Sequence, residues 1–447
     1  MTQTTHGVEP VRAHGGLRRL RRGDLQSPKE LSASVLGKAN FQSVLQVEIE
    51  RALQDDLTLL VAGIRIRPLP GHDQTALAGR QLPDELLERI RSVHENIKVV
   101  VVSAEELLLL LPSVRRRPDG EAAVNHLIEV LTPPLVVDGL DHHLSPMIGA
   151  AMLGHESPSA ELLVDGANLA LSECDESNPA MMFHPYQRVR QERRADLQSD
   201  LRAAVLDDQI KAALQPAFNL ESGELVALEA FARWNRAGKG PVPPFEFVAL
   251  AKDAGVGHLL TRQVLEQSVD GISRYQSENP DTFRPVTLWL NVSPDDVSHP
   301  EFPRLIIDAI DQNEDITIGL ELSPSPDAEA RDIHRSLKRL VSRGARVAIG
   351  DFGIGNANLT VLQQLPYDAV KLDRALIRQI AGNSDAANLV GALIEMADLL
   401  KLETTAQGIE TESQLDIVTE LGCAISQGYY HAEPTSTNEE LHQWFTR

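Results

Sequence analysis

Polar side chains recur in the C-terminal half of the chain, each near the end of a short apolar run. They are Glu229, Arg233, Asn291, Glu321, Asp351, Lys371, Asp373, Gln407, Glu410 and Gln427. Oxygen ligands without His or Cys suit Mg²⁺, Mn²⁺ or Ca²⁺ rather than zinc. The candidate ligands for one such ion, bound weakly or not at all, are Glu229, Asn291, Glu321 and Asp351. Arg233 and Lys371 match the oxygens of a phosphate ester, so the set predicts a phosphate-binding site.

Two positions in this set lack groups that would help to hydrolyse a phosphodiester. That reaction generally benefits from a second metal ion, bridged to the first, and from a base that activates water. Gly350, directly before Asp351, has no side chain that could bridge two ions. Gln407 is a neutral amide and cannot act as a base. The residues alone therefore predict a site that holds a phosphate but does not cut it.

Eight apolar segments carry these residues, and amphipathic segments with helical spacing separate them. The eight strand candidates are AALQPAFNL, LVALEAFARW, VTLWLNVS, ITIGLELS, RVAIGDFG, AVKLD, ETTAQGIE and AISQGYY. Strict alternation of strands and helices over residues 207–447 predicts an α/β fold, a (β/α)8 barrel of the TIM type. Sites in such barrels lie at the carboxyl ends of the strands, where these polar residues fall.

The rest of the chain divides into three predicted segments. Residues 1–30 read as a polar, Arg-rich, disordered tail, and residues 31–184 as an α+β domain with a hairpin in KVVVVSAEELLLLL. Residues 185–206, which are highly charged with helical apolar spacing, predict a connecting helix. The length of 447 residues agrees with two or three domains.

Composition narrows the class of protein. The formal net charge of -22 argues against DNA or RNA as a partner. The two cysteines, Cys174 and Cys423, form no CxxC motif, and no apolar run reaches the roughly 20 residues of a membrane span. The first residues lack the apolar segment of a signal peptide. These features predict a soluble cytoplasmic protein.

The motifs resemble, in order, those of the EAL family of cyclic di-GMP phosphodiesterases, over about residues 200 to 447. The ExLxRW motif is Glu229-Ala-Phe231-Ala-Arg233-Trp234, followed by NVS at Asn291, Glu321, FG after Asp351, KLD from Lys371, GIET and QGYY. The resemblance implies cyclic di-GMP as the ligand. The residues that it implies for ligand binding are Gln215, Glu229, Phe231, Arg233, Asn291, Asp351, Lys371, Asp373, Glu410, Gln427 and Pro434.

Three departures from the family pattern bear on activity. Gly350 replaces the Asp that bridges the metals, and Gln407 replaces the Glu that acts as general base. Pro324 replaces an acid that anchors the loop after Asp351, and the loop itself reads GIGNANL. The resemblance therefore implies that catalytic groups at all three positions are lost.

The N-terminal half resembles a degenerate GGDEF diguanylate cyclase domain. SAEEL, Ser103 to Leu107, replaces the GGDEF motif, whose glycines let the backbone approach GTP phosphates. Arg65 and Arg67 lie in the strand that holds the metal in active cyclases, where their charge would repel the ion. This resemblance implies that the domain has no cyclase activity.

Three functional hypotheses follow. The first is a catalytically inactive effector that binds cyclic di-GMP and signals to a protein partner. The second is a weak phosphodiesterase that uses one metal ion and yields pGpG. The third is an interaction scaffold that binds no nucleotide, with the polar set persisting as buried ion pairs. Lys371 and Asp373 also fit a salt bridge at the barrel rim, and the family resemblance implies a possible homodimer through the EAL domain.

Overall fold

A computed structural model of the chain describes residues 35–36, 38–69, 84–94, 96–103, 105–137, 140–154, 157–323, 331–353, 365–436 and 438–447. Two compact units divide at residue 192/193. The division falls inside the helix Pro185–Leu206, so the charged, periodic segment is helical as predicted. The predicted tail, residues 1–30, lies outside the described residues.

The first unit is an α+β structure with one central sheet. Its strands are β1 (Val35–Leu36), β2 (Thr58–Pro68), β3 (Lys98–Val101), β4 (Glu106–Val114), β5 (Leu135–Val137), β6 (Leu140–His142), β7 (Leu144–Met152) and β8 (Ala180–Met182). The sheet order is β1-β3-β4-β2-β7-β8, and β5 pairs with β6 separately. The helices, apart from the one that crosses the division, are Lys38–Gln54, Asp84–Val93, Arg117–Leu131 and Ala160–Ser172.

The unbroken leucine run of β4 follows from burial on both faces of this sheet. Leu107, Leu109 and Leu111 belong to one apolar cluster. Leu108 and Leu110 belong to a second cluster on the opposite face. Because side chains alternate between faces along a strand, a strand covered on both sides is apolar throughout. The predicted β3–β4 hairpin is confirmed by its antiparallel register.

The second unit is an eight-stranded barrel. Its strands are β9 (Ile210–Asn219), β10 (Leu225–Arg236), β12 (Val286–Asn291), β13 (Ile316–Leu322), β14 (Arg346–Phe352), β15 (Ala369–Leu372), β16 (Glu403–Gln407) and β17 (Ile425–Gln427). A further strand, β11 (Gly240–Val242), pairs antiparallel with the end of β10 and is not part of the barrel. Pairing of β9 with both β10 and β17 closes the barrel. The helices are Pro244–Asp253, Gly257–Glu278, Pro294–Ser298, Phe302–Gln312, Arg331–Val341, Arg374–Ile380, Ser384–Leu399, Glu412–Glu420 and Asn438–Phe445.

The predicted strict alternation of strands and helices is wrong at the first pair of strands. β9 runs antiparallel to β10 and to β17, whereas β10 and β12 to β17 are mutually parallel. The connection 220–224 is too short for a helical crossover, and Gly223 takes its turn with a φ of 73°. Consequently β9 brings the residues near its own middle, not its carboxyl end, to the site.

The barrel interior has an apolar floor made of four alanines and an isoleucine around a tryptophan. It comprises Ala217, Ala227, Trp289, Ala348, Ala369 and Ile425. The indole of Trp289 fills the space, and Gly319 on the neighbouring strand leaves room for it, since a Cβ there would overlap the ring. This floor supports every side chain two residues further along the parallel strands.

The fit between Gly319 and Trp289 gives a stability prediction. We expect Gly319→Ala to destabilise the barrel by about 1–3 kcal/mol, because a methyl group would be forced into a closely packed interior. Urea unfolding followed by circular dichroism measures the change. The control is Gly271→Ala in the helix Gly257–Glu278, where a Cβ meets nothing within 4 Å and should stabilise by about 0.5–1 kcal/mol. Equal effects of the two substitutions would contradict this account of the floor.

Candidate functional site

A polar layer lies directly above the apolar floor. The parallel strands place in it Glu229, Asn291, Glu321, Gly350, Lys371, Gln407 and Gln427. All of them lie at or near the carboxyl end of their strands except Glu229, because β10 continues for seven residues beyond it. The antiparallel strand contributes Gln215, which is the register partner of Glu229. Each of these residues is two positions from a floor residue or its neighbour, so the period of two along a strand directs them inward together.

The centre of this layer is the ammonium of Lys371. Its Nζ donates to Oε2 of Glu229 at 2.8 Å and to Oε2 of Glu321. The three side chains are 1%, 3% and 5% exposed. Nζ also lies 5.1 Å from the centroid of the Trp289 ring, which adds a cation–π contact from below. The predicted rim salt bridge between Lys371 and Asp373 is therefore wrong.

Burial and charge oppose each other in these three groups. Burial acts to lower the pKa of Lys371, but attraction to the two carboxylates raises it above its ordinary value. Burial acts to raise the pKa of Glu229, and Lys371 with the amides of Asn291 and Gln427 lowers it below its ordinary value. Burial and the charge of Glu229 together raise the pKa of Glu321 to about 7. One ammonium thus compensates one carboxylate, and the second is left short of positive charge.

Three amide side chains donate to the carboxylates as well. Asn291 Nδ2 lies 2.8 Å from Oε1 of Glu229. Gln427 Nε2 lies 3.0 Å from Oε2 of the same carboxylate. Gln407 Nε2 lies 3.5 Å from Oε2 of Glu229 and 3.4 Å from Oε1 of Glu321. The amide at 407 is therefore a hydrogen-bond donor to the acids.

Arg233 lies on the inward side of β10, four residues after Glu229. It is partly buried, and its NH1 donates to the carbonyl of Ala232 at 3.0 Å. Its guanidinium carbon lies 5.4 Å from the centroid of the Phe231 ring. Burial lowers the pKa of Arg233, with a small opposing effect from Tyr429. No carboxylate within the described ranges pairs with it, so its donors can bind a ligand.

Several predicted residues lie around the rim rather than in the central cluster. Asp351 is exposed, has a φ of 48°, and accepts a hydrogen bond from Ser323 Oγ at 2.7 Å. Asp373 caps the helix Arg374–Ile380 by accepting from the amide of Ala375 at 2.6 Å. Glu410 is exposed, 3.6 Å from Arg378. Their role in binding a ligand stays a prediction.

The remaining predicted residues are Pro434, Pro324 and those of the GIGNANL loop. Pro434 is partly buried in the segment after β17. Pro324 and most of the GIGNANL loop, from residue 354 onward, lie outside the described residues.

Sequence reasoning missed the support beneath the cluster. Trp289 and Gly319 touch no candidate ligand group except Lys371, yet they set the height of the polar layer. The alternation of side chains along a strand gave a signal, because Trp289 precedes Asn291 by two residues and Gly319 precedes Glu321 by two.

Trp234 belongs to the core, is 2% exposed, and has its ring edge-on to Phe247.

Comparison with known families agrees with this geometry. A sequence profile of the EAL domain matches residues 198–434, just over half of the chain and nearly all of the barrel. The chain belongs to the EAL domain family of cyclic di-GMP signalling proteins. Relatives with this EAL domain include cyclic di-GMP phosphodiesterase NbdA of Pseudomonas aeruginosa, which is 29% identical over 376 residues, 83% of this chain and 47% of that protein.

Other similar proteins extend the comparison. Bifunctional diguanylate cyclase/cyclic di-GMP phosphodiesterase MucR of Pseudomonas aeruginosa is 25% identical over 418 residues, 89% of this chain and 58% of that protein. The chain spans about half the length of the first curated relatives it matches. A solved structure of the EAL enzyme Bd1971, in its cAMP and cyclic-di-GMP bound form, covers 87% of this chain and 95% of its own at 16% identity and a TM-score of 0.52. That likeness shows the fold alone.

In the EAL barrel of this chain, both buried acids are hydrogen-bonded to donors of the protein. Amide hydrogens and the Lys371 ammonium point at both carboxylates, and Gly350 offers no ligand. The described part of the chain contains no group of three or more His, Cys, Asp or Glu side chains that could hold an ion. The predicted ligand set of Glu229, Asn291, Glu321 and Asp351 stays a prediction; the first three lie together in the cluster, and Asp351 lies at the rim. No helix within the described ranges is long and apolar enough to cross a membrane.

The raised pKa of Glu321 predicts a pH dependence of stability. The folded group binds its proton up to about pH 7, whereas an unfolded Glu releases it near its ordinary value of 4.5. Between these values the folded state holds more protons, so the free energy of unfolding should fall as pH rises and level off above pH 7. Urea unfolding at pH 5, 6, 7 and 8 measures this slope.

Glu321→Gln should remove most of the fall, because the variant has no proton to lose at this position. The exposed Glu395→Gln is the matched control and should keep the slope of the unchanged protein. A slope that persists in Glu321→Gln would show that another group is responsible.

Proposed function

We propose that the EAL barrel binds cyclic di-GMP and does not hydrolyse it, so that the protein acts as a catalytically inactive effector. The observation that carries this proposal is the amide of Gln407, which donates toward Glu229 and Glu321 from the position where a base would have to accept a proton. An amide has no proton-accepting nitrogen of useful basicity. The family supplies the ligand class, and the site supplies the reason for binding without turnover.

Binding of a phosphodiester is supported by Arg233. The side chain is partly buried at the mouth of the barrel, where a guanidinium without a carboxylate partner gains most from a phosphate. Tyr429, which is 62% exposed, lies close enough to act electrostatically on Arg233. The centroid of the Phe231 ring lies 5.4 Å from the carbon of the same guanidinium. Aromatic faces beside a phosphate-binding group suit a nucleotide, whose base can stack while its phosphate is bound.

The first unit is proposed to be a degenerate GGDEF-like domain without cyclase activity. Arg65 pairs with Glu106 at 3.1 Å, and Arg67 lies 3.8 Å from Glu105. The acids of the SAEEL segment are thus paired with arginines, which compete with any cation for their oxygens. A domain without its own reaction fits a role in presenting the ligand state of the barrel to a protein partner.

Calorimetric titration with cyclic di-GMP tests binding. We expect saturable heat from the whole chain, and at least a tenfold weaker affinity in Arg233→Ala, because a charge-assisted hydrogen bond contributes about 1.5–3 kcal/mol. Arg335→Ala, at an exposed position on the helix Arg331–Val341, is the matched control and should bind as the unchanged protein does. No heat at micromolar protein would refute the effector proposal.

Incubation with cyclic di-GMP and Mn²⁺, followed by chromatography, tests for hydrolysis. We expect no linear pGpG after many hours, because Gln407, at the position where a base would have to accept a proton, is a neutral amide. Formation of pGpG that disappears in Glu229→Ala would establish the weak phosphodiesterase in place of the effector.

A further inference from the structure

The orientation of the amides around Glu229 is set by a backbone carbonyl. The carbonyl oxygen of Ala432 can only accept, and Gln215 Nε2 donates to it at 2.9 Å. This contact directs Oε1 of Gln215 toward Gln427, whose Nε2 donates to it at 3.1 Å. The same Nε2 then reaches Glu229 at 3.0 Å. This chain of hydrogen bonds makes the Gln427 amide a donor to Glu229. Its oxygen is therefore turned away from the position where a ligand of a cation would be needed.

Gly350 permits the second half of the arrangement. A Cβ at this position would lie 2.5 Å from Oε1 and 2.9 Å from Cγ of Glu321. The end of the Glu321 side chain thus lies where any side chain at residue 350 would begin. From this place Glu321 reaches Lys371 with Oε2 and Gln407 with Oε1. The glycine is therefore part of the geometry that joins Glu321 to the ammonium.

We propose that the Lys371 ammonium is the resident cation of this barrel, and that Gly350 and Gln407 fit the acids to it in place of a divalent ion. Glu229 and, once it has lost its proton, Glu321 carry the negative charges, and Lys371 supplies one positive charge. The amide donors of Asn291, Gln407 and Gln427 cover the remaining acceptor positions. An ion that needs oxygen ligands at about 2.0–2.6 Å would have to displace these hydrogens. The inference concerns the free protein and does not depend on the ligand proposed above.

Under this proposal, Gly350 and Gln407 help to build a site that works without a metal ion. A lysine is covalently attached and always present, so the charge of the cluster is compensated without regard to the concentration of free metal. Its contact with the face of Trp289 holds it from below, where no ligand approaches. The site is thus predicted to be ready for an anionic ligand in the presence of a chelator.

Titration of the whole chain with Mn²⁺, followed by electron paramagnetic resonance of the free ion, tests the proposal. We expect the unchanged protein and Glu229→Gln to bind the same number of Mn²⁺ ions, since none resides at the cluster. An isotherm of the unchanged protein with one additional micromolar site that Glu229→Gln abolishes would overturn the proposal. Neither result depends on whether the protein binds cyclic di-GMP, which the calorimetric titration tests independently.

Lys371→Met supplies the converse test. Removal of the ammonium leaves two buried carboxylates facing each other, so the variant should gain one Mn²⁺ site and show a higher melting temperature in the presence of the ion. The exposed Lys338→Met is the control and should gain none. A folded Lys371→Met protein without a new site would overturn the proposal.

Gly350→Ala covers the case in which Lys371→Met does not fold. The added methyl group should push Glu321 away from Lys371, which lowers the melting temperature more than Gly271→Ala does and makes the loss partly recoverable with Mn²⁺. A Gly350→Ala protein as stable as the unchanged one and unaffected by Mn²⁺ would contradict the fit between Gly350, Glu321 and Lys371.

Discussion

A buried ammonium between two buried carboxylates is the constraint on which the barrel of this protein depends. Moving three charges out of water costs several kcal/mol per ion, and their attraction offsets this cost only when the geometry is close and the remaining hydrogen-bonding positions are filled. Both conditions are met around Lys371, where Glu229 approaches from β10, Glu321 approaches from β13, and three amides complete the donors. Removal of Lys371 would leave two uncompensated carboxylates in the interior, whereas removal of one carboxylate would leave a balanced pair.

The rest of the second unit can be understood as support for this cluster. The small residues of the floor surround Trp289, and the indole sets the depth at which Lys371 lies. Because β9 runs antiparallel to β10, Gln215 in the middle of β9 lies beside Glu229. A parallel strand that ended at the level of the polar layer would not place Gln215 there. Outside the barrel, Leu228, Ala230 and Trp234 alternate with the inward residues and pack against the helices. The alternation of inward and outward side chains along each strand therefore produces both the outer core and the site.

Sequence patterns predicted the eight strands and the inward polar set because each rests on a local period. They could not give the direction of β9, since an alternation of apolar segments is the same whichever way a strand runs. The short segment 220–224 with Gly223 was the available signal, because five residues cannot hold a crossover helix. Local spacing offered Asp373, two residues away, as one alternative partner of Lys371, whereas its partners lie 142 and 50 residues away in the chain. Such pairing follows from barrel closure and is invisible in local spacing.

The placement of aromatic residues gives this protein an optical reporter of its own site. The chain has three tryptophans, Trp234, Trp289 and Trp444, and all belong to the second unit. Trp234 and Trp444 pack in the apolar cluster outside the barrel, where Arg236 lies against the Trp234 ring, whereas Trp289 has both Lys371 and Arg346 against its ring. Indole emission of this chain therefore originates entirely from the second unit, and its Trp289 component responds to the charges of Lys371 and Arg346 beside the ring. A spectrum recorded without any label distinguishes events at the ammonium from events in the first unit.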